Sequence, residues 1–327
     1  MGFESIKQHI ILVFFALFNI AIFVYSYTVQ EGIDKEIVEK LSKQVQRPTV
    51  FESVDFYLVK DRRPSLTLFA TGLTHYKDRG LSKFQAPKGE GITKDATKVS
   101  FFADNGLYNM NEDKLTLKDN VNFNNQDFKM KCEHLNYFEN KDYLEAKTNV
   151  RAIFKTADTG DVITVNSDSL RAHLKKKTSI LKGNVKGTVK RRRKYEESIK
   201  FASNNLNLDL AKSFIELQEN VTIRKQQLTA SSLRGEINLE NYNKKLKYFS
   251  LYDDVKVNEK VMLAGDSYTR KAYAEKLEGI MSENKVVLTG YPRVYQRKDL
   301  IKGNKITLRE NIEVVEVDDA SSDFIIE

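Results

Sequence analysis

From about residue 50 onward apolar residues recur at every second position. That is the period of a half-buried strand rather than of a helix, whose apolar positions fall three and four apart. Leu115, Leu117, Val121 and Phe123 share one parity, with Lys114 and Lys118 on the other. The same offsets collect Leu144, Ala146, Val150 and Ala152; Leu181, Val185 and Gly187; Ile215, Leu217, Val221 and Ile223; and Phe249, Leu251, Val255 and Val257. Val286, Leu288 and Val294 continue the series. Lys186, Glu216 and Lys256 fall on the opposite parity, so one face of each strand is dry and the other wet.

These stretches are copies of one unit, and a repeat decides architecture before single motifs do. DKLTLKDNVNF (113–123), DYLEAKTNVRAIF (142–154), KTSILKGNVKGTV (177–189), SFIELQENVTIRK (213–225) and KYFSLYDDVKVNE (247–259) each place an apolar residue, three mostly polar ones and then valine. The valines are Val121, Val150, Val185, Val221 and Val255, at intervals of 29, 35, 36 and 34 residues, and Pro292 continues the frame after 37. Ahead of most valines stands a small residue followed by polar residues and leucine, ending at Leu107, Leu135, Leu170, Leu206 and Leu277, with Leu233 after a longer insertion. Each unit therefore predicts two strands joined by a polar turn such as NMNED, ENKD, KKK or SEN.

The expected fold is all-β, an antiparallel sheet of roughly fourteen strands, too many to stay open without folding over. Parallel crossovers need helical runs of a dozen residues or more, and none follows residue 50. The dry faces must meet, either packing solid or leaving a slot for an apolar ligand. The small inward residues Ala146, Ala152 and Gly187 predict a widened slot.

Ahead of the repeats, residues 10–29 are apolar except for Asn19, Ser26 and Thr28, long enough for a helix to cross a hydrocarbon core of about 30 Å. A cleaved signal peptide fits less well, because Tyr25, Ser26 and Tyr27 offer no small-x-small site. Lys7 precedes the span while Glu31, Asp34 and Glu36 follow it, which leaves the amino terminus inside and the bulk of the chain outside. The chain thus divides into an anchor (1–30), a linker (31–53), a strand-repeat domain (54–319) and a tail (320–327). In the linker Ile33, Ile37, Leu41 and Val45 have helical spacing, ending before Pro48. Residues 77–98, rich in Gly, Lys and Asp, predict a solvated loop.

Net charge is +8 and the isoelectric point about 9.1, which favours anionic partners, but 45 acidic residues are mixed among 53 basic ones. No nucleic-acid partner is expected. A single cysteine, Cys132, rules out an intrachain disulfide and makes a thiolate zinc site implausible. His9, His75, His134 and His173 are dispersed, and no HExxH, GxSxG, P-loop or GxGxxG pattern accompanies them. Neither enzyme chemistry, cofactor nor metal is expected.

The segment KVVLTGYPRVYQRKDLIKGNKITL (285–308), the L-x-x-N-V units and the A-x-x-L strand openings resemble the OstA-like jelly roll of the LptA and LptC proteins, the lipopolysaccharide transport bridge. The resemblance covers roughly residues 100–317, and PSLTLFATGL within 54–76 is loosely similar to the start of an LptC-type periplasmic domain. It implies a twisted antiparallel jelly roll of two facing sheets with an open groove, following an N-terminal transmembrane helix in the inner membrane. The inward apolar residues named above would then hold acyl chains of lipopolysaccharide, with sugars and phosphates outside. It also implies an inner-membrane ABC exporter as neighbour and another jelly-roll bridge protein as recipient.

Two further features suggest contacts. Lys175–Lys177 and the run KRRRK (190–194) could touch lipid phosphates, but about twelve strand residues at ~3.3 Å each place them roughly 40 Å apart, so they form no single patch within that hairpin. The segment NIEVVEVDD (311–319) reads as a terminal edge strand, and its stretch Ile312–Val317 offers a site for strand addition by another jelly roll. The chief alternative function is a structural β-repeat scaffold of the envelope that carries no lipid. An envelope enzyme with paired carboxylates is disfavoured, since no pair stands out.

Overall fold

A computed structural model of the chain describes residues 18–27, 48–60, 63–92, 98–125, 128–155, 162–190, 198–209, 211–212, 214–239, 246–263, 266–280, 283–309, 312 and 314–323. Residues 18–27 are helical and expose Phe18, Ile20, Ile22 and Phe23. Among the described residues no helix is long and apolar enough to cross a membrane. The remainder of the expected span, and the helical spacing of 33–45, lie outside the described residues. The chain divides into two compact units, Met1–Pro48 with Tyr76–Asp78, and Thr49–His75 with Arg79–Glu327.

The strands begin with β1 (Thr49–Lys60), β2 (Arg63–Tyr76), β3 (Leu81–Gln85), β4 (Lys88–Ile92), β5 (Lys98–Phe102) and β6 (Asn105–Asn109). The repeats supply β7 (Lys114–Asn125), β8 (Phe128–Phe138), β9 (Tyr143–Lys155), β10 (Val162–His173), β11 (Thr178–Lys190) and β12 (Ile199–Asp209). They continue with β13 (Phe214–Lys225), β14 (Leu228–Leu239), β15 (Leu246–Leu263) and β16 (Asp266–Ile280). The last are β17 (Lys285–Thr289), β18 (Arg293–Gln296), β19 (Asp299–Lys302), β20 (Lys305–Arg309), β21 (Val315–Asp318) and β22 (Ser321–Asp323). From β7 to β16 each strand pairs antiparallel with the next, as the turn-linked units require.

Every long strand of the repeats breaks once near its middle, and the Asn- and Asp-rich triplet of the sequence is the cause. Asp119–Asn120, Thr148–Asn149, Gly183–Asn184, Glu219–Asn220, Asp253–Asp254 and Gly290–Tyr291 are consecutive pairs with positive φ. Asn, Asp and Gly tolerate that left-handed backbone best. Register shifts at the same points: Lys118 pairs with His134 but Val121 with Cys132, so two residues oppose one in a bulge. The neighbouring strand answers with a change of inward parity, Ser203 and Leu206 both being buried. Carbonyls freed there are met by the small residue of the second signature. Ser167, Ser203 and Ser232 donate Oγ to the carbonyls of Ser169, Asn205 and Arg234 at 3.1, 2.9 and 2.7 Å.

The breaks divide the strands into two layers. Segments before the bend in β7, β9, β11, β13 and β15 align in the first, and those after it in the second, so strands pass from one layer to the other at a bulged corner. Layer ends approach on the side opposite the corner, where Lys225 Nζ of the second layer donates to Asn284 Oδ1 of the first at 3.4 Å.

Several sequence expectations change. Residues 77–98 are not simply a loop, because Leu81–Gln85 and Lys88–Ile92 are strands with Ser82, Phe84, Gly89 and Gly91 buried. Glycine there serves close packing, since a Cβ on Gly89 would meet the Thr67 carbonyl at 2.5 Å and Phe101 Cζ at 2.6 Å. Strand structure begins at Thr49, ahead of residue 54, and β22 carries it to Asp323. The leucines that end the second signature do not all share one face, since Leu135, Leu170, Leu206 and Leu277 are buried and Leu107 is only half-buried. Leu233 is exposed, and Gly106 and Gly235 occupy the inward positions three residues after Ala103 and Ser232. Ile312 lies in a turn, its amide donating to the Arg309 carbonyl at 3.3 Å, so the final hairpin strand starts at Val315.

Candidate functional site

The residues predicted to face inward all lie between the layers. Leu115, Leu117, Val121, Phe123, Leu144, Ala146, Val150, Ala152, Leu181, Val185, Ile215, Leu217, Val221, Ile223, Phe249, Leu251, Val255, Val257, Val286, Leu288 and Val294 are buried members of one continuous apolar cluster. The alternate strands add Met130, Leu135, Leu170, Phe201, Leu206, Ile237 and Leu277 to it. The cluster runs the length of the repeat domain as an oily interior flanked by two wet outer faces.

This interior is uneven. At its amino-terminal end lies a cavity of about 30 Å³, room for about one water-sized molecule and well short of the ~300–1,000 Å³ of a formed ligand site. Leu115 and Leu117 of the first layer line it together with Val99, Phe101 and Phe123 of the second. Its wall includes Tyr137, whose phenol is pushed well above the usual range by burial and by Asp142 and Glu139 beside it. The hydroxyl therefore stays neutral at any physiological pH.

Farther along, side chains fill the space beside the small residues, in places from the neighbouring strand of the same layer. Gly187 does not widen a slot, because the ring of Phe201 lies where its Cβ would be. Phe249 covers Gly279 in the same way, and a Cβ on Gly235 would touch Leu251 Cδ2 and Val221 Cγ1, each at 3.0 Å. Cys132 packs within this interior, opposite Val121. Burial pushes its thiol up to about 12, so it is an inert apolar residue rather than a nucleophile. No group of metal-binding side chains occurs among the described residues.

Near the carboxyl-terminal end the interior ceases to be apolar. Glu259 and Arg270, directly opposed on β15 and β16, are both buried and joined by bonds from Nη2 and Nε to Oε2 of 2.6 and 3.0 Å. Parity shows them, since Glu259 continues the row of Val255 and Val257, and Arg270 that of Ala272. A hydrophobicity-based reading stops at Val257 and misses both.

The basic turns need a corrected geometry. Lys175–Lys177 form the exposed turn before β11, but β11 bends at Gly183–Asn184. The straight-strand separation therefore does not apply. Residues 191–194 of the second run lie outside the described residues. At the far end β21 pairs with β20 and β22 with β19, and β21 has no second strand partner among the described residues.

Comparison with known proteins follows this geometry. The family model "Lipopolysaccharide-assembly, LptC-related" matches residues 14–190, more than half of the 327. A second model, "LptA/(LptD N-terminal domain) LPS transport protein", matches residues 200–314. Both describe lipopolysaccharide assembly or transport rather than a reaction. Among solved structures, the chain is similar to LptH from Pseudomonas aeruginosa, described as the LptA homologous periplasmic component of the lipopolysaccharide transport device. That match has 16% identity and a TM-score of 0.35, and covers 39% of this chain and 94% of the other. No curated protein matches.

Proposed function

The chain belongs to the lipopolysaccharide-assembly, LptC-related family, and from that premise we propose that it carries lipopolysaccharide by its acyl chains between the two layers of the repeat domain. The observation that supports this most is the continuous apolar cluster, which begins beside a small cavity and extends through every repeat. Each methylene moved from water into such an interior contributes about 0.8 kcal/mol, so several acyl chains bind firmly without a shaped polar pocket. Sugars and phosphates stay at the wet rim. The amino-terminal end is the loading end, and entry of acyl chains beyond it requires the side chains packed between the layers to part.

In this reading the exposed apolar helix at 18–27 is part of an inner-membrane anchor, and the repeat domain stands in the periplasm. An inner-membrane ABC exporter supplies lipid and energy. The β21 edge receives a strand from another jelly roll, which extends the apolar track across molecules. Joining an LptC-type segment to an LptA-type segment in one chain lets this protein span more of the gap between membranes. Replacing Leu217 or Val255 with Glu should stop lipopolysaccharide from crosslinking beyond that point while loading at Phe123 continues. Unaltered transfer refutes the carrier and leaves a structural scaffold.

A further inference from the structure

We infer that Arg270 and Glu259 form a releasable clasp that holds the carboxyl-terminal mouth between the two layers shut. Arg270 is the largest fully buried side chain among the described residues, 1% exposed, in a wall otherwise built of Val, Ala and Leu. Its guanidinium reaches well beyond Glu259. Nη1 donates to Gln296 Oε1 at 3.5 Å and to the Ile312 carbonyl at 3.2 Å, and Nη2 donates to the Arg309 carbonyl at 3.3 Å. Arg270 and Gln296 belong to the second layer, whereas Arg309 and Ile312 stand where β20 of the first layer ends. One planar fork therefore spans the mouth, a task for which the rigid geometry of arginine suits better than lysine.

Two features show that this is a closure and not an extension of the core. β15 and β16, at 18 and 15 residues, are the longest strands among the described residues, and Glu259 pairs with Leu228, the first residue of β14, so the ion pair stands where β15 and β16 begin to run on without β14. The apolar cluster includes Val257 and Ala272 but not Val261, although Val261 is fully buried. The ion pair thus cuts the oily track one residue pair short of its end. Its hold on the first layer depends on two carbonyls, that of Arg309 at the end of β20 and that of Ile312 just beyond it, and a buried pair of this kind contributes little net stability compared with apolar residues of the same shape. The clasp is consequently a gate for side release at the end where lipid would leave, a consequence that rests on the carrier reading.

The test uses the full chain in detergent with spin labels at Met262→Cys and Val314→Cys, both exposed sites. Cys132 is buried and stays unlabelled. Three proteins are compared: the labelled parent, the paired variant Glu259→Leu with Arg270→Met, and Arg270→Lys, which keeps a charge for Glu259 and loses the fork. Far-ultraviolet circular dichroism checks that each is folded, and Arg270→Lys carries the test if the paired variant is not. The clasp predicts one narrow distance in the parent and a longer, broader distribution in the variants. Losing one charge-assisted bond shifts the opening equilibrium about tenfold or more. Faster release of bound lipopolysaccharide should accompany the change. Unchanged distances in the variants overturn the clasp. Widened distances with no lipopolysaccharide bound by any of the three support the clasp and refute the carrier.

Discussion

At the scale of single residues, glycine lets an aromatic ring of the neighbouring strand lie across the backbone within one layer. Gly187 and Gly279 each lie beneath an aromatic ring, Phe201 and Phe249, that fills the space a side chain would need. Gly187→Val or Gly279→Val must displace the ring or the backbone, and overpacking of this kind costs about 1–3 kcal/mol. Thermal melting should fall by several degrees for either variant, and an unchanged melting temperature would show that the rings move freely. Cys132 gives a second reading of the same interior. Its thiol, raised to about 12 by burial, is protonated at pH 8 and shielded. A maleimide should leave it unmodified in the folded chain and react completely in urea; rapid labelling without denaturant would mean that the layers already part widely at rest.

At the scale of the element, the bend in each repeat is a backbone device written in the sequence as Asn-Val or Asp-Val. Left-handed backbone costs a branched residue about 1–2 kcal/mol per position and costs glycine almost nothing. Asn220→Val should therefore lower the unfolding midpoint in urea, whereas Asn220→Gly should leave it nearly unchanged. An equal loss from both would place the role of Asn220 in its side chain rather than its φ. Alternation along β7, β9, β13 and β15 was legible because these strands keep one parity through the bend, Leu117 and Val121 both facing inward. Their partners were harder to read. Parity reverses between Ser203 and Leu206, and between Ser232 and Gly235, so a fixed alternation mistakes Leu233 for an inward residue when it points to solvent. The strands β3 and β4 were hidden for another reason. Gly89 and Gly91 look like loop residues, and only the approach of Thr67 and Phe101 explains Gly89.

At the scale of the whole molecule, three zones follow one another along a single apolar interior: a small cavity between the first strands, a middle where the rings of Phe201 and Phe249 cover the glycines opposite them, and a buried ion pair at Glu259 and Arg270. The sequence pattern shows which residues line this interior, because inside and outside are a matter of parity. It does not show where the interior is hollow, because that depends on which ring covers which glycine. The central claim is that lipid travels inside the layers and not along their wet faces. Site-specific photo-crosslinking in cells that make lipopolysaccharide tests it most directly, with the crosslinker at inward Phe123 and Phe249 and, in separate chains, at Asn122 and Tyr252 on the opposite face. The account predicts lipopolysaccharide adducts at both phenylalanine positions and none at Asn122 or Tyr252; adducts of equal yield on both faces, or none at the inward pair, would contradict it.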